Sequence, residues 1–95
     1  MKTDILELIP TGKNKRITNA EICKKTGLYP SQVRFLIHKA RTEFAPICAD
    51  DKGFFIAETP EDINHTIATF NSKIHKMIKA REGLRKAQQK LSEEI

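Results

Sequence analysis

The sequence predicts a mainly helical chain that carries one small β-hairpin and ends in a long helix. Three observations lead there. Apolar residues recur at helical spacing from Val33 to Phe44. A single polar turn, D-D-K-G at 50–53, separates two short apolar arms. After Pro60 no proline interrupts a helical pattern that runs almost to Ile95.

The elements follow in order. Residues 3–9 predict a short first helix, with Ile5, Leu6, Leu8 and Ile9 as its apolar contacts; Pro10, Thr11 and Gly12 end it. K-N-K-R at 13–16 is a basic loop, and Ile17 is placed as a one-residue strand. Thr18 opens the second helix. Glu21 three residues on completes a capping box, in which each side chain accepts the other's backbone N–H. Ala20, Ile22 and Cys23 supply the inner face, and Gly27 ends the helix because a left-handed residue there meets no Cβ clash. Pro30 suits the first position of the third helix. Val33, Leu36, Ile37, Ala40 and Phe44 form its apolar face, and Pro46 is the expected stop. Ile47 and Cys48 lie before the hairpin turn, with Phe54, Phe55 and Ile56 after it. Thr59 caps the last helix, Pro60 takes its first position, and Glu61 and Asp62 favour the positive end of its dipole. That helix runs for roughly 35 residues, or about 50 Å at 1.5 Å per residue. A domain of about 60 residues is narrower than that, so the helix must bend, break or project. Gly83 is the expected weak point.

Composition narrows the function. The chain has 95 residues, of which 39% are apolar, and no Trp, so its core is small and association would help it bury surface. The net charge of +5 favours an acidic partner. The charge is zoned: residues 13–41 hold eight Lys/Arg and one acid, residues 42–62 one Lys and six acids, and residues 73–90 seven Lys/Arg and one acid. Cys23 and Cys48 have no ligand-type neighbours and read as small buried thiols in a reducing compartment. The opening residues do not read as a signal peptide and no segment is apolar enough to span a membrane, so a cytoplasmic home is expected. Catalysis finds little support. His38, His65 and His75 share no metal spacing with the cysteines, no Gly-rich phosphate loop occurs, and a small core leaves little room for a pocket. No enzymatic role, metal or cofactor is expected.

Residues 20–41, AEICKKTGLYPSQVRFLIHKAR, have the pattern of two short helices locked across a glycine turn. Cys23 is small where the helices cross, Gly27 makes the turn four residues later, Leu28 follows it, and Val33 and Leu36 lock the pair. At each of those positions the stretch resembles the helix-turn-helix of DNA-binding regulators. With the hairpin included, the order of elements resembles the small winged helix-turn-helix proteins of bacteriophages and mobile elements in Gram-positive bacteria. The resemblance covers residues 3–58. It implies a winged domain over 1–58, with the hairpin as wing pairing near Ile17, and leaves 59–95 as a long helix for dimerisation.

It also implies a double-stranded DNA partner, with the third helix in the major groove. With Val33, Leu36, Ile37 and Ala40 inward, Ser31, Gln32, Arg34, Phe35, His38 and Arg41 fall on the outer surface or its flanks. Gln32 would bond adenine and Arg34 guanine. His38, Lys39 and Arg41 would meet phosphates, and Lys13, Lys15, Arg16, Lys24 and Lys25 would add sequence-independent attraction. Phe35 is expected at an edge of the core. Asp50 and Asp51 at the wing tip repel phosphate, so of the wing only Lys52 would approach DNA. The acidic wing and Phe35 motivate the alternative, an adaptor or inhibitor that binds a host protein through the same fold.

In the last helix, positions Ile63, Ile67, Phe70, Ile74, Met77, Arg81, Leu84, Gln88, Leu91 and Ile95 alternate in steps of four and three. That is a heptad seam with two polar interruptions. Its first half is expected to cover the winged domain. Its second half has nothing left there to cover, so Phe70, Ile74, Met77, Leu84 and Leu91 are expected to dimerise two copies, a symmetry that suits a palindromic site. Read otherwise, the same segment is a solvated basic tail, or Lys73, Lys76, Lys79, Arg85, Lys86 and Lys90 form a second nucleic-acid surface. A membrane-surface helix fits less well, since the apolar face has few large residues beyond Phe70.

Overall fold

The computed structural model describes residues 4–93. Three short helices, an antiparallel two-stranded hairpin and a long last helix follow one another as α1 (Ile5–Leu8), α2 (Asn19–Thr26), α3 (Pro30–Thr42), β1 (Ile47–Asp50), β2 (Gly53–Ile56) and α4 (Pro60–Glu93). This is the mainly helical fold expected, a winged helix-turn-helix followed by a long C-terminal helix. The start of the expected first helix, at Thr3, and Ile95 at the end of the expected seam lie outside the described residues. Within them the helix is one turn, capped by the Asp4 side chain, which accepts from the Leu6 N–H at 3.0 Å.

Local chemistry sets most of the boundaries. The Thr18–Glu21 box is closed in both directions at 3.1 Å. Gly27 caps α2 at φ 76°, and Pro30 opens α3. At the start of α4 the Asp62 carboxylate accepts from the Glu58 and Thr59 backbone N–H groups, while Thr59 Oγ1 accepts from the Asp62 N–H.

The hairpin pairs Ile47 with Ile56 and Asp50 with Gly53, leaving Asp51 and Lys52 as the turn. The free edge of β2 is covered twice by the segment after α1. Ile17 and Phe54 exchange two backbone hydrogen bonds, at 3.0 and 2.8 Å, and Thr11 bridges to Ile56. The one-residue strand expected at Ile17 is therefore present. Ile5, Ile9, Ile17, Ile22, Val33, Ile37 and Ile47 form the core between the helices and the hairpin. On the outward side of the hairpin Cys48 and Phe55 are also buried. The first turns of α4 lie against β1 there: the Ala49 N–H donates to Thr66 Oγ1 at 3.3 Å, and the Cys48 thiol donates to the Asp62 carbonyl at 3.4 Å.

Several expected contacts fall elsewhere. Leu6 and Ala20 face solvent, because the short α1 and the inner face of α2 are filled by Ile5 and Ile22. Phe44 is not part of the α3 face. The helix ends at Thr42, four residues before Pro46. The Ala45 N–H donates to the Ala40 carbonyl and the Phe44 N–H to the Arg41 carbonyl, a Schellman closure. Phe44 holds the left-handed position of that motif at φ 73° and is 94% exposed. A side chain there costs about 1–2 kcal/mol. Phe44→Gly loses no buried surface and gains back that strain, less the extra chain entropy of glycine. It is expected to raise the unfolding free energy by about 0.5–1 kcal/mol in urea titrations followed by circular dichroism.

The last helix runs unbroken through Gly83 and projects. Described residues beyond Thr66 are all exposed, and the molecule extends 57 Å along its longest axis against 32 and 23 Å across it. Less of the helix covers the domain than the heptad pattern implied. Among the described residues no helix is long and apolar enough to cross a membrane.

Candidate nucleic-acid interface

The two helices of the central pair are locked by their short connection and by buried side chains. Ile22 and Val33 are fully buried, and Cys23, Leu28, Leu36 and Ala40 pack around them. The Asn19 amide donates to the Pro30 carbonyl at 3.2 Å, tying the start of α2 to the start of α3. The inward face of α3 is thereby fixed, and the opposite face must look outward, since side chains half a turn away cannot share a core.

That outward face carries Ser31, Phe35 and His38 along its crest, with Arg34 on one flank and Lys39 on the other; all five are exposed. Phe35 is 63% exposed, so the expected core position is corrected. It stands opposite the side of α3 occupied by Val33, Leu36 and Ala40. Gln32 is also exposed, but its side-chain oxygen accepts the Tyr29 N–H at 2.8 Å, while the Gln32 N–H donates to the Tyr29 backbone carbonyl. Its amide N–H groups and the second lone pair of that oxygen are left for a base edge. Tyr29, just before α3, is exposed as well; it sits outside the helical repeat, so spacing gives no signal for it.

Lys13, Lys15, Lys24, Lys25 and Lys52 are exposed and, like Arg34 and Lys39, make no ion pair among the described residues. Arg16 and Arg41 are placed differently. Arg16 clasps the hairpin: its guanidinium lies 2.6 Å from the Asp50 carboxylate and 5.2 Å from the centre of the Phe55 ring. Arg41 is a strut between three elements. Its Nε donates to the Ile47 carbonyl at 2.9 Å, its guanidinium lies 5.2 Å from the centre of the Phe70 ring, and one terminal nitrogen is buried without a partner. Burial pushes its pKa down. Both guanidinium groups are committed inside the fold.

The Arg16 clasp also changes the wing. Asp50 is turned inward, so Asp51 and Lys52 alone face out from the turn. Desolvation raises the Asp50 pKa, but the Arg16 hydrogen bond and the Lys52 and Gly53 backbone N–H groups outweigh it, and the net shift is downward. A carboxylate whose folded pKa is depressed adds stability above its unfolded pKa and loses it as pH falls through the folded one. Stability is therefore expected to drop on acidification below about pH 4. In Asp50→Asn that acid slope should be shallower when urea midpoints are measured from pH 7 to pH 2.5.

Between α3, the hairpin and α4 lies an open cleft of about 640 Å³, lined by Arg34, Arg41, Asp51, His65, Phe70 and Lys73 among others. Arg34 therefore stands at the border between the crest of α3 and this cleft. Among the described residues no three His, Cys, Asp or Glu side chains are grouped to hold a metal ion, and both cysteines are free thiols. Comparison of the chain with protein-family models, curated proteins and solved structures finds no match.

Proposed function

We propose that this protein is a DNA-binding regulator that lays α3 in the major groove of double-stranded DNA and acts as a dimer through α4. The observation that carries the reading is the outward face of α3. It offers Ser31, Arg34, His38 and Lys39 free of competing partners among the described residues. Lys13, Lys15, Lys24 and Lys25 are exposed on the preceding segments and supply attraction to phosphates. Arg34 is the residue best suited to a bidentate bond with guanine, and Phe35 on the crest suits contact with a thymine methyl group. Arg16 and Arg41 drop out of the phosphate-contacting set, since a guanidinium held by the fold would have to break its own contacts first. The binding is non-catalytic.

The test is a fluorescence-anisotropy titration of labelled duplex DNA at several salt concentrations. Neutralised phosphates release counterions, so affinity should fall linearly on logarithmic axes. For about five phosphate contacts the loss between 50 and 200 mM salt is on the order of 10²- to 10³-fold. Binding that ignores salt, or no binding at low salt, removes the proposal.

A second reading has its own observation. Tyr29, Phe35 and Phe44 are all exposed before, within and just after α3, and exposed aromatic side chains are common anchors of protein interfaces. On that reading the winged domain is an adaptor or inhibitor of another protein. The two diverge on Phe35→Ser, which would abolish capture of a protein partner but leave the salt-dependent part of DNA affinity in place.

A further inference from the structure

The projecting part of α4 presents an apolar stripe that its own domain does not cover. Ile67, Ile74, Met77, Leu84 and Leu91 are all about half exposed or more, Leu84 at 73%. Ile78, which lies beside the seam, is also exposed and widens the stripe. Helices in proteins draw most of their stability from packing of an amphipathic face, so a covering partner would stabilise the projecting part.

We propose that the partner is a second copy of α4 running antiparallel, with the two-fold axis passing between Ile78 and Ala80. This rests on the dimer reading above and adds its orientation and register. Core positions of the seam divide into Ile67, Ile74, Arg81 and Gln88 on one row and Phe70, Met77, Leu84 and Leu91 on the other. A parallel pair sets each row against itself. Arg81 then faces the partner's Arg81, and Gln88 the partner's Gln88, in two core layers on either side of the Leu84 layer. An antiparallel pair sets one row against the other. Ile67 then meets the partner's Leu91, Ile74 meets the partner's Leu84, Phe70 meets the partner's Gln88, and Met77 meets the partner's Arg81. No like-charge layer remains. The Arg81 stem can lie along Met77 while its guanidinium reaches water. Small Ala80 then meets its own copy on one side of the axis and Ile78 meets its own copy on the other.

Charge separates the two orientations only weakly. Residues 73–90 carry seven Lys/Arg and one acid. Parallel helices would hold two such zones side by side in register, within a Debye length of each other. Antiparallel helices about that axis offset the zones by only five residues, so residues 73–85 of the two copies still overlap, while Lys86 and Lys90 come level with residues 72 and 68 of the other copy. Asp51 at the hairpin turn shares a cleft with His65, Thr69 and Lys73 over that same stretch. The domain offers room at the right place. A groove of about 210 Å³ is bounded by Ala45, Pro46, Ile63, Ile67 and Phe70, where the partner's Leu91 would seat.

The experiment uses the full chain and separates orientation from association. Ile74→Cys and Leu84→Cys are prepared singly, and their masses, and that of the unaltered protein, are measured in solution by sedimentation. Each variant alone and a mixture of the two are then oxidised mildly and run on a non-reducing gel. The unaltered protein reports any bridging through Cys23 or Cys48. The antiparallel register expects a dimer mass, no cross-link in either variant alone, and a covalent dimer only in the mixture, because like positions in the two copies lie about 15 Å apart. Ile67→Cys mixed with Leu91→Cys repeats the test nearer the groove. Cross-linking of single variants, or a dimer that cross-links in no combination, overturns the orientation while leaving dimerisation standing. A monomer mass for the unaltered protein at its highest soluble concentration overturns both.

Discussion

Gly53→Ala should cost this protein about 3 kcal/mol. Two costs combine. Gly53 holds φ 134°, a region that side chains rarely enter, and forcing one in costs of order 1–3 kcal/mol. An added Cβ would also lie 2.6 Å from the Ile17 carbonyl oxygen. That oxygen accepts the Phe54 N–H, so relief of the clash breaks one or both hydrogen bonds that join Ile17 to β2, at about 1 kcal/mol each. For a domain whose total stability is about 5–10 kcal/mol, such a loss is visible as a large drop in the urea midpoint. Gly27→Ala is the control. Its φ is also positive, but nothing lies within 4 Å of the added atom, so only the backbone cost of about 1 kcal/mol applies. Equal losses from the two substitutions would show that the Ile17 bridge contributes nothing.

Reversing the charges of Arg34 and Lys39 together, Arg34→Glu with Lys39→Glu, should weaken DNA binding by about 100-fold or more at moderate salt. Two attractive contacts become two repulsive ones, and every 1.4 kcal/mol is a factor of ten. The variant should keep its fold, because both side chains are exposed and neither is paired among the described residues. Bulk charge must be separated from local contact. Lys79→Glu with Lys86→Glu makes the same change in net charge, from +5 to +1, on the projecting part of α4. On the major-groove reading that control loses only the small share due to the overall field. If it loses as much as the α3 variant, or more, DNA lies along α4 instead. Arg41→Glu is unsuitable as a probe of contact. It would place a carboxylate beside the Ile47 carbonyl and leave the Phe70 ring without its cation, so any loss of binding would follow from a damaged fold.

The places where the chain could be read in advance share one property. The Thr18–Glu21 box, the Gly27 cap, Pro30 at a helix start, and the D-D-K-G turn are each decided by residues within about four positions of one another. Their partners are therefore visible as spacing. The locked pair α2 and α3 follows from the same logic, since the Gly27 turn leaves Ile22 and Val33 few ways to be buried. The candidate interface was legible to that extent: once Val33 and Ile37 are inward, Ser31, Arg34 and His38 are outward.

Helical spacing misled at Phe44, because the repeat continues past the point where the backbone turns left-handed. It was uninformative at Phe35, whose hydrophobicity suggested the core although its angular position on α3 did not. Arg16 and Arg41 looked like any surface cation, and Gln32 like any free amide.

Helix ends, turns and the zoned charge of this protein are properties of neighbouring residues, and reading the chain recovers them. Which cations stay free for a partner is another matter. Arg16 meets Asp50 across 34 positions of sequence, and Arg41 meets Phe70 across α3 and α4. Only docking the hairpin and the last helix brings such groups within a few ångströms. Electrostatic and packing contacts depend on distance in space, to which separation along the chain is no guide.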